Sequence, residues 1–249
     1  MEITSVNNDL VKETAKLQQK KYRNQSGKFL LEGYKAIREA FDCGIVLDRV
    51  FVDKKHLSEY LFAGSAIIET TDAVLKKLST TDSAPEAVAI GVQKEYDKRL
   101  LNSSKKVVLL ENIKDLGNLG TIIRSSLAFG ADAIILYGDS VDIYNPKCVR
   151  ASVGNLWKLP IFHFKTVEEL KDNFSNFERV ATLPRSNNLL KTYKAKLPIL
   201  VMFGSEADGL SGDLINFATD SVKIEMAKTV ESLNLATSVS VILYQLFVD

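Results

Sequence analysis

Three runs in the second half of the chain are apolar almost without interruption: "KVVLLENI" (106–113), "DAIILYG" (132–138) and "PILVMFG" (198–204). A strand with one wet face alternates polar and apolar residues. A continuous apolar run must be covered on both faces, which is the condition of a buried parallel strand. Helical segments lie between such runs. "NLGTIIRSSLAFG" ends at Gly130, "TVEELKDNF" carries Thr166 as N-cap, and "LSGDLINFA" and "SLNLATSVSVILYQLF" follow. "NPKCVRAS" reads as a short helix, and "LPIFHF", "RVATL" and "SVKIEM" read as further strands. Strands alternating with helices predict an α/β fold around a mostly parallel sheet.

The first hundred residues predict a smaller α/β unit of their own. A helix is expected over 7–25, with Lys12, Lys16, Lys20, Lys21 and Arg23 on its polar face opposed only by Glu13. "KFLLEG", "LDRVFVD", "SAIIET" and "EAVAIGVQ" read as strands, and "YKAIREAFDCG" and "TDAVLKKLS" as helices. The polar stretch 95–106 reads as a linker. The expected division is a first domain over 1–98 and a second over 105–249.

Composition removes several classes. Of 249 residues, 46% are hydrophobic and 25% charged, with a net charge of +1, so a core is available and no global field favours a polyanion. Cys43, Cys148, His56 and His163 are isolated from one another, so no metal spacing and no disulfide framework is expected. "MEITSVNNDLVKETAKLQQKKYR" has no apolar core of a secretory signal, and no apolar run is long enough to span a membrane. The expected setting is cytoplasmic.

Three turns fall just after expected strands: "DLGNLGTIIR" (115–124), "FGSEADGLSG" (203–212) and "IEMAKTVESLN" (224–234). In open α/β sheets, ligands bind beyond the carboxyl ends of the strands. Glycines there let backbone approach a ligand closely. A dinucleotide fingerprint is absent, because "GNLG" supplies only Gly117 and Gly120, and no Walker loop occurs. Ser211 and Asp213 read as helix-capping residues, Ser232 reads as either an N-cap or a site residue, and Trp157, Phe162 and Phe164 read as core.

Taken in order, these turns resemble the three signature motifs of the SpoU (TrmH-type) branch of the SPOUT RNA methyltransferases. Asn118, Gly120, Arg124 and Gly130 match the first. Gly204, Ser205, Glu206, Gly209, Leu210 and Ser211 match the second. Ile224, Met226, Ser232, Leu233 and Asn234 match the third. "RASVGNLWKLPIF" (150–162) is also similar, and "KKYRNQSGKFLLEGYKAIREAFDCG" resembles the family's ribosomal-protein-like substrate-recruiting domain. Two positions depart from the pattern: Leu116 and Glu225 stand where the family has proline.

The resemblance implies transfer of a methyl group from S-adenosylmethionine to a ribose 2'-hydroxyl of structured RNA, ribosomal rather than transfer RNA. It implies Arg124 as the essential residue, with Asn118, Glu206, Ser232 and Asn234 orienting it and the ribose, and Glu206 as partner of the guanidinium. It further implies that Thr182, Leu183, Gly204, Ile224, Met226 and Leu233 hold the cofactor. Lys16, Lys20, Lys21 and Arg23 become RNA-contact candidates. The implied architecture is a C-terminal trefoil knot in a homodimer, with no metal and no membrane partner. Three alternatives stay open: an RNA-binding or ribosome-assembly factor without turnover on the same fold, a tRNA ribose methyltransferase, and a small-molecule methyltransferase.

Overall fold

The computed structural model describes residues 1–227, 229–230 and 232–248. The chain divides into two compact units: Met1–Glu95 with Asp142–Trp157, and Tyr96–Val141 with Lys158–Asp249.

In the first unit, five strands form one sheet: β1 (Glu2–Ile3), β2 (Lys28–Glu32), β3 (Leu47–Asp53), β4 (Ile67–Thr70) and β5 (Ala87–Val92). Their spatial order is β1-β4-β3-β5-β2, with β5 antiparallel to both β3 and β2. Helices α1 (Asp9–Lys16), α2 (Lys20–Ser26), α3 (Tyr34–Asp42) and α4 (Asp72–Leu78) complete its N-terminal part. The expected helix over 7–25 is two helices. The chain turns at Leu17, which is buried, and the Gln18 side-chain amide donates to the carbonyls of Lys77 and Leu78 at the end of α4. Capping a neighbouring helix in this way satisfies carbonyls that α4 leaves without a partner.

The excursion 142–157, which a linear reading assigns to the second domain, packs within the first unit. It carries helix α6 (Pro146–Ala151), numbered after α5 (Leu116–Ala128) in the chain. Phe29 of β2 lies 4.8 Å from the Tyr144 ring and 5.0 Å from the Trp157 ring. Phe29 also explains Gly91 opposite it on β5: a Cβ there would sit 2.6 Å from the Phe29 ring. Two ion pairs fasten the excursion, Arg23 to Asp142 at 2.7 Å and Arg150 to Glu32 at 3.0 Å.

The second unit is built on six parallel strands: β6 (Lys106–Glu111), β7 (Ala133–Tyr137), β8 (Ile161–Phe164), β9 (Glu178–Thr182), β10 (Ile199–Phe203) and β11 (Asp220–Val222). Val107 to Leu110 and Ile199 to Met202 are fully buried, as the unbroken apolar runs require. The stretch read as a linker is partly a 3₁₀ turn, Lys98–Ser103, with Leu101 in the core and the Lys98 ammonium 4.3 Å from the Phe164 ring centre. The strand expected over 221–226 stops at Val222. Lys223 instead bonds to the segment before the 3₁₀ turn Leu190–Thr192, donating to the Asn188 carbonyl and accepting from Leu190 N–H.

Spatial order in this sheet is β11-β9-β10-β6-β7-β8. From β6 the chain runs outward through β7 and β8. Helix α7 (Val167–Phe174) then leads to β9 on the other side, and β10 enters between β9 and β6. Loops leaving β6 and β10 therefore depart in opposite senses from neighbouring strands. That reversal opens a crevice at their carboxyl ends, where α/β sheets bind ligands. Two helices complete the unit, α8 (Gly212–Phe217) and α9 (Leu235–Phe247).

Candidate active site at the strand reversal

Each of the three motif loops is set by its own local chemistry. After β6, Asp115 caps α5: its Oδ1 accepts from Asn118 N–H at 2.6 Å, which holds Asn118 in the first helical turn. After β10, the chain closes a tight loop. Ser205 and Gly209 exchange two backbone hydrogen bonds of 3.1 Å, and Gly209 has φ +68°. Gly204 permits this, because a Cβ on it would lie 1.9 Å from the Gly209 carbonyl carbon. Glu206 is carried at the exposed tip. The loop's far end is anchored by the buried Glu111 carboxylate at the end of β6, which accepts from Ser211 N–H at 2.8 Å. Ser211 is the N-cap of α8, as its sequence position suggests.

The third loop ends at Asn234, whose Oδ1 accepts from Thr237 N–H and caps α9. The choice left open for Ser232 is thereby decided against a cap.

Asn118 joins the three loops. Its Nδ2 donates to Glu206 Oε1 at 2.7 Å, and its Oδ1 accepts from Asn234 Nδ2 at 3.0 Å. Glu206 therefore bonds to Asn118, not to Arg124 as expected. Arg124 is exposed on α5 and makes no hydrogen bond or ion pair among the described residues. The two helices that carry these loops are in direct contact: Ser125 and Ser240 hydroxyls are 2.8 Å apart, and Phe129 packs edge-on to Tyr244.

Beside this chain of side chains lies a cleft of about 720 Å³, lined by Thr182, Leu183, Gly204, Glu206, Ile224, Met226, Ser232, Leu233 and Asn234. All six cofactor candidates therefore border one cavity, whereas Asn118 and Arg124 stand outside its lining. Thr182 spends its hydroxyl on the Met202 carbonyl at 2.9 Å, so its contribution to the cleft is wall rather than donor. Met226 and Leu233 are 37% and 38% exposed, apolar surface that an organic ligand would cover. Sequence reading missed Ser238 and Ile242, which also line the cleft. Their spacing of four and eight residues from Asn234 on one helix face is the signal that finds them.

The four RNA-contact candidates separate. Lys20 and Lys21 are exposed. Lys16 pairs with Glu13, which holds its ammonium above the ordinary lysine range, and both Lys16 and Lys21 lie near the Tyr22 ring. Arg23 is a correction: it is 1% exposed, donates to the Leu17 carbonyl at 2.8 Å and pairs with Asp142. A buried guanidinium paired in this way is a structural bolt and cannot meet RNA. Among the described residues, no helix is long and apolar enough to cross a membrane.

Comparison with known proteins gives the family. Residues 105–244 match the model of the SpoU rRNA Methylase family, and residues 8–89 match the MRM3-like substrate binding domain. An uncharacterized tRNA/rRNA methyltransferase of Synechocystis is 32% identical over 98% of this chain and 92% of its own length. The 23S rRNA (guanosine(2553)-2'-O)-methyltransferase RlmP of Bacillus subtilis is 26% identical over 98% of both chains. The solved structure of an AdoMet-bound rRNA methyltransferase from Sinorhizobium meliloti superposes with a TM-score of 0.88 at 28% identity, covering 98% of this chain and 96% of its own. The chain belongs to the SpoU rRNA methylase family.

Proposed function

We propose that this protein is an S-adenosylmethionine-dependent methyltransferase that modifies a ribose 2'-hydroxyl in structured ribosomal RNA. The observation that carries the reading is the side-chain chain Asn234–Asn118–Glu206, drawn from three separate loops and set at the rim of one cleft. The relatives' names and the AdoMet-bound structure support the same chemistry.

The cleft fits the cofactor in volume and in kind. Leu183, Ile224, Met226 and Leu233 offer apolar walls for an adenosine, and the loop at Gly204 offers backbone groups. When bound, S-adenosylmethionine supplies a methyl group on a sulfonium, already a good leaving group. What remains for the chain is alignment and charge. Among the described residues Arg124 has no hydrogen-bond or ion-pair partner, so its donors can clamp a phosphate beside the target ribose and stabilise oxygen charge as the hydroxyl loses its proton. A guanidinium is a donor only, with no lone pair free to accept a proton, which argues against a role as base. Asn118 holds Glu206, and Asn234 holds Asn118, so the polar rim is oriented before substrate arrives. Ser232, exposed at the same rim, faces the ribose in this reading.

The N-terminal unit recruits the RNA, with Lys16, Lys20 and Lys21 as phosphate contacts. Exposed Val241 (40%) and Tyr244 (60%) on α9 support a homodimer joined through that face. A C-terminal trefoil knot belongs to the same reading, with α9 (Leu235–Phe247) as the segment it would thread. A cytoplasmic setting is part of the same proposal.

The deciding experiment incubates the protein with labelled S-adenosylmethionine and undermethylated ribosomal or transfer RNA, then maps 2'-O-methyl sites. A single new site in ribosomal RNA is expected. A site in transfer RNA alone redirects the substrate. Absence of cofactor binding in calorimetry removes the enzyme reading. Light scattering that returns a monomer removes the dimer.

A further inference from the structure

The segment after β11 runs along the cofactor cleft with little to hold it. Lys223 has both backbone groups bonded, but among the described residues Ile224, Glu225 and Met226 make no backbone-to-backbone hydrogen bond. Its side chains divide between two cavities. Met226 lines the cleft, Glu225 lines a neighbouring hollow of about 420 Å³ with Lys191, Ser240 and Tyr244, and Ile224 forms the wall between them, bordering both. Glu225 thus sits behind the wall that the ligand would touch. Its Oε1 is 3.2 Å from Lys191 Nζ. Burial pushes the Glu225 carboxyl up, but hydrogen bonds from the Lys191 side chain and from the backbone N–H groups of Glu225 and Lys191 outweigh it and hold the carboxyl below the ordinary range.

Lys191 springs from a firm base. Leu190 before it is 4% exposed, and its N–H donates to the Lys223 carbonyl at 2.9 Å. Tyr193 after it donates to Glu178 at 3.0 Å and lies 3.1 Å from Asp220, on the two strands at this edge of the sheet. A charge held there can fix a loop that has no ladder of its own.

We infer that Glu225 and Lys191 form a clasp that positions the cleft wall at Ile224 and Met226 for the cofactor, with no contact to the cofactor itself. The inference rests on the cleft being the S-adenosylmethionine site. It identifies two positioning residues, whose loss loosens the wall and weakens binding without touching the transfer step. The pair is partly exposed, at 32% for Glu225 and 70% for Lys191, so its effect is modest and screened by salt.

The test is calorimetric binding of S-adenosylmethionine to the full chain, with kcat and KM for the cofactor on the same samples. Glu225→Gln and Lys191→Met should each raise Kd and cofactor KM roughly two- to fivefold while kcat at saturation holds. The double exchange, Glu225→Lys with Lys191→Glu, should recover most of that loss. Added salt should weaken wild-type binding more than that of either single variant. Hydrogen exchange of the 224–226 amides without cofactor should rise in both single variants. Single variants that bind and exchange like wild type overturn the clasp, as does a double exchange no better than the worse single. Wild-type protein that fails to bind removes the cofactor reading, while the exchange rates still report whether the pair holds the segment.

Discussion

Asn118 and Glu206 lie 88 residues apart and meet in a 2.7 Å hydrogen bond across the strand reversal. The same Asn118 accepts from Asn234, the cap of α9. One neutral amide, able to donate and accept at once, is what allows a carboxylate and a second amide to be held in one line.

Replacing Asn118 by Asp keeps the size but converts the donor facing Glu206 into a second carboxylate. Misalignment of the rim should cost about 100-fold in kcat. Thermal stability should fall by only about 1 kcal/mol, because the hydrogen bond to Glu206 is solvent-exposed. Single-turnover methylation and a melting curve read the two effects separately. Wild-type turnover in this variant removes Asn118 from the orienting role.

Among the described residues Arg124 bonds to no other side chain, so Arg124→Ala should leave melting temperature and cofactor affinity unchanged and abolish methyl transfer. Arg124→Lys should recover only a small part, since an ammonium cannot form the bidentate phosphate clamp. Turnover near wild type in the Ala variant would exclude the residue from the chemistry.

Gly204 has no room for a methyl group: the added carbon would stand 1.9 Å from Gly209 backbone. Gly204→Ala should open the 205–209 loop, cost about 1–3 kcal/mol and weaken cofactor binding. Gly212→Ala is the control, because a Cβ there meets nothing within 4 Å. Equal binding by both variants refutes the argument.

Arg23 and the exposed lysines make opposite forecasts. Arg23→Ala leaves Asp142, 11% exposed, without its buried partner, and should destabilise the protein by about 3 kcal/mol. Lys20→Ala with Lys21→Ala should leave stability alone and flatten the salt dependence of RNA binding by about two phosphate contacts. An unchanged salt slope would take the lysines out of the RNA interface.

Cys148 is fully buried, and burial pushes its thiol pKa up to about 12, whereas Cys43 is partly exposed. One thiol should therefore react with an aromatic disulfide reagent at neutral pH in the native protein, and two in denaturant. Two rapid native equivalents would contradict the packing of α6.

The α/β class, most strand and helix positions, and the capping of α7 by Thr166 and α8 by Ser211 were legible in the residues alone. They depend on short-range patterns: unbroken apolar runs, helical spacing and the chemistry of caps. The three loops were legible too, because glycine and asparagine mark turns wherever they occur. Which side chains those loops bring together was not. That Glu206 meets Asn118 and not Arg124 depends on β10 entering between β9 and β6, a pairing that no local pattern encodes. The burial of Arg23 likewise depends on Asp142, 119 residues away, returning to pack beside it. Glu225 at the third loop is a single substitution to the sequence, and only the tertiary structure supplies the Lys191 that gives its charge a counterpart. Local order follows from near neighbours, whereas a site is made where distant segments meet, and strand order decides that meeting.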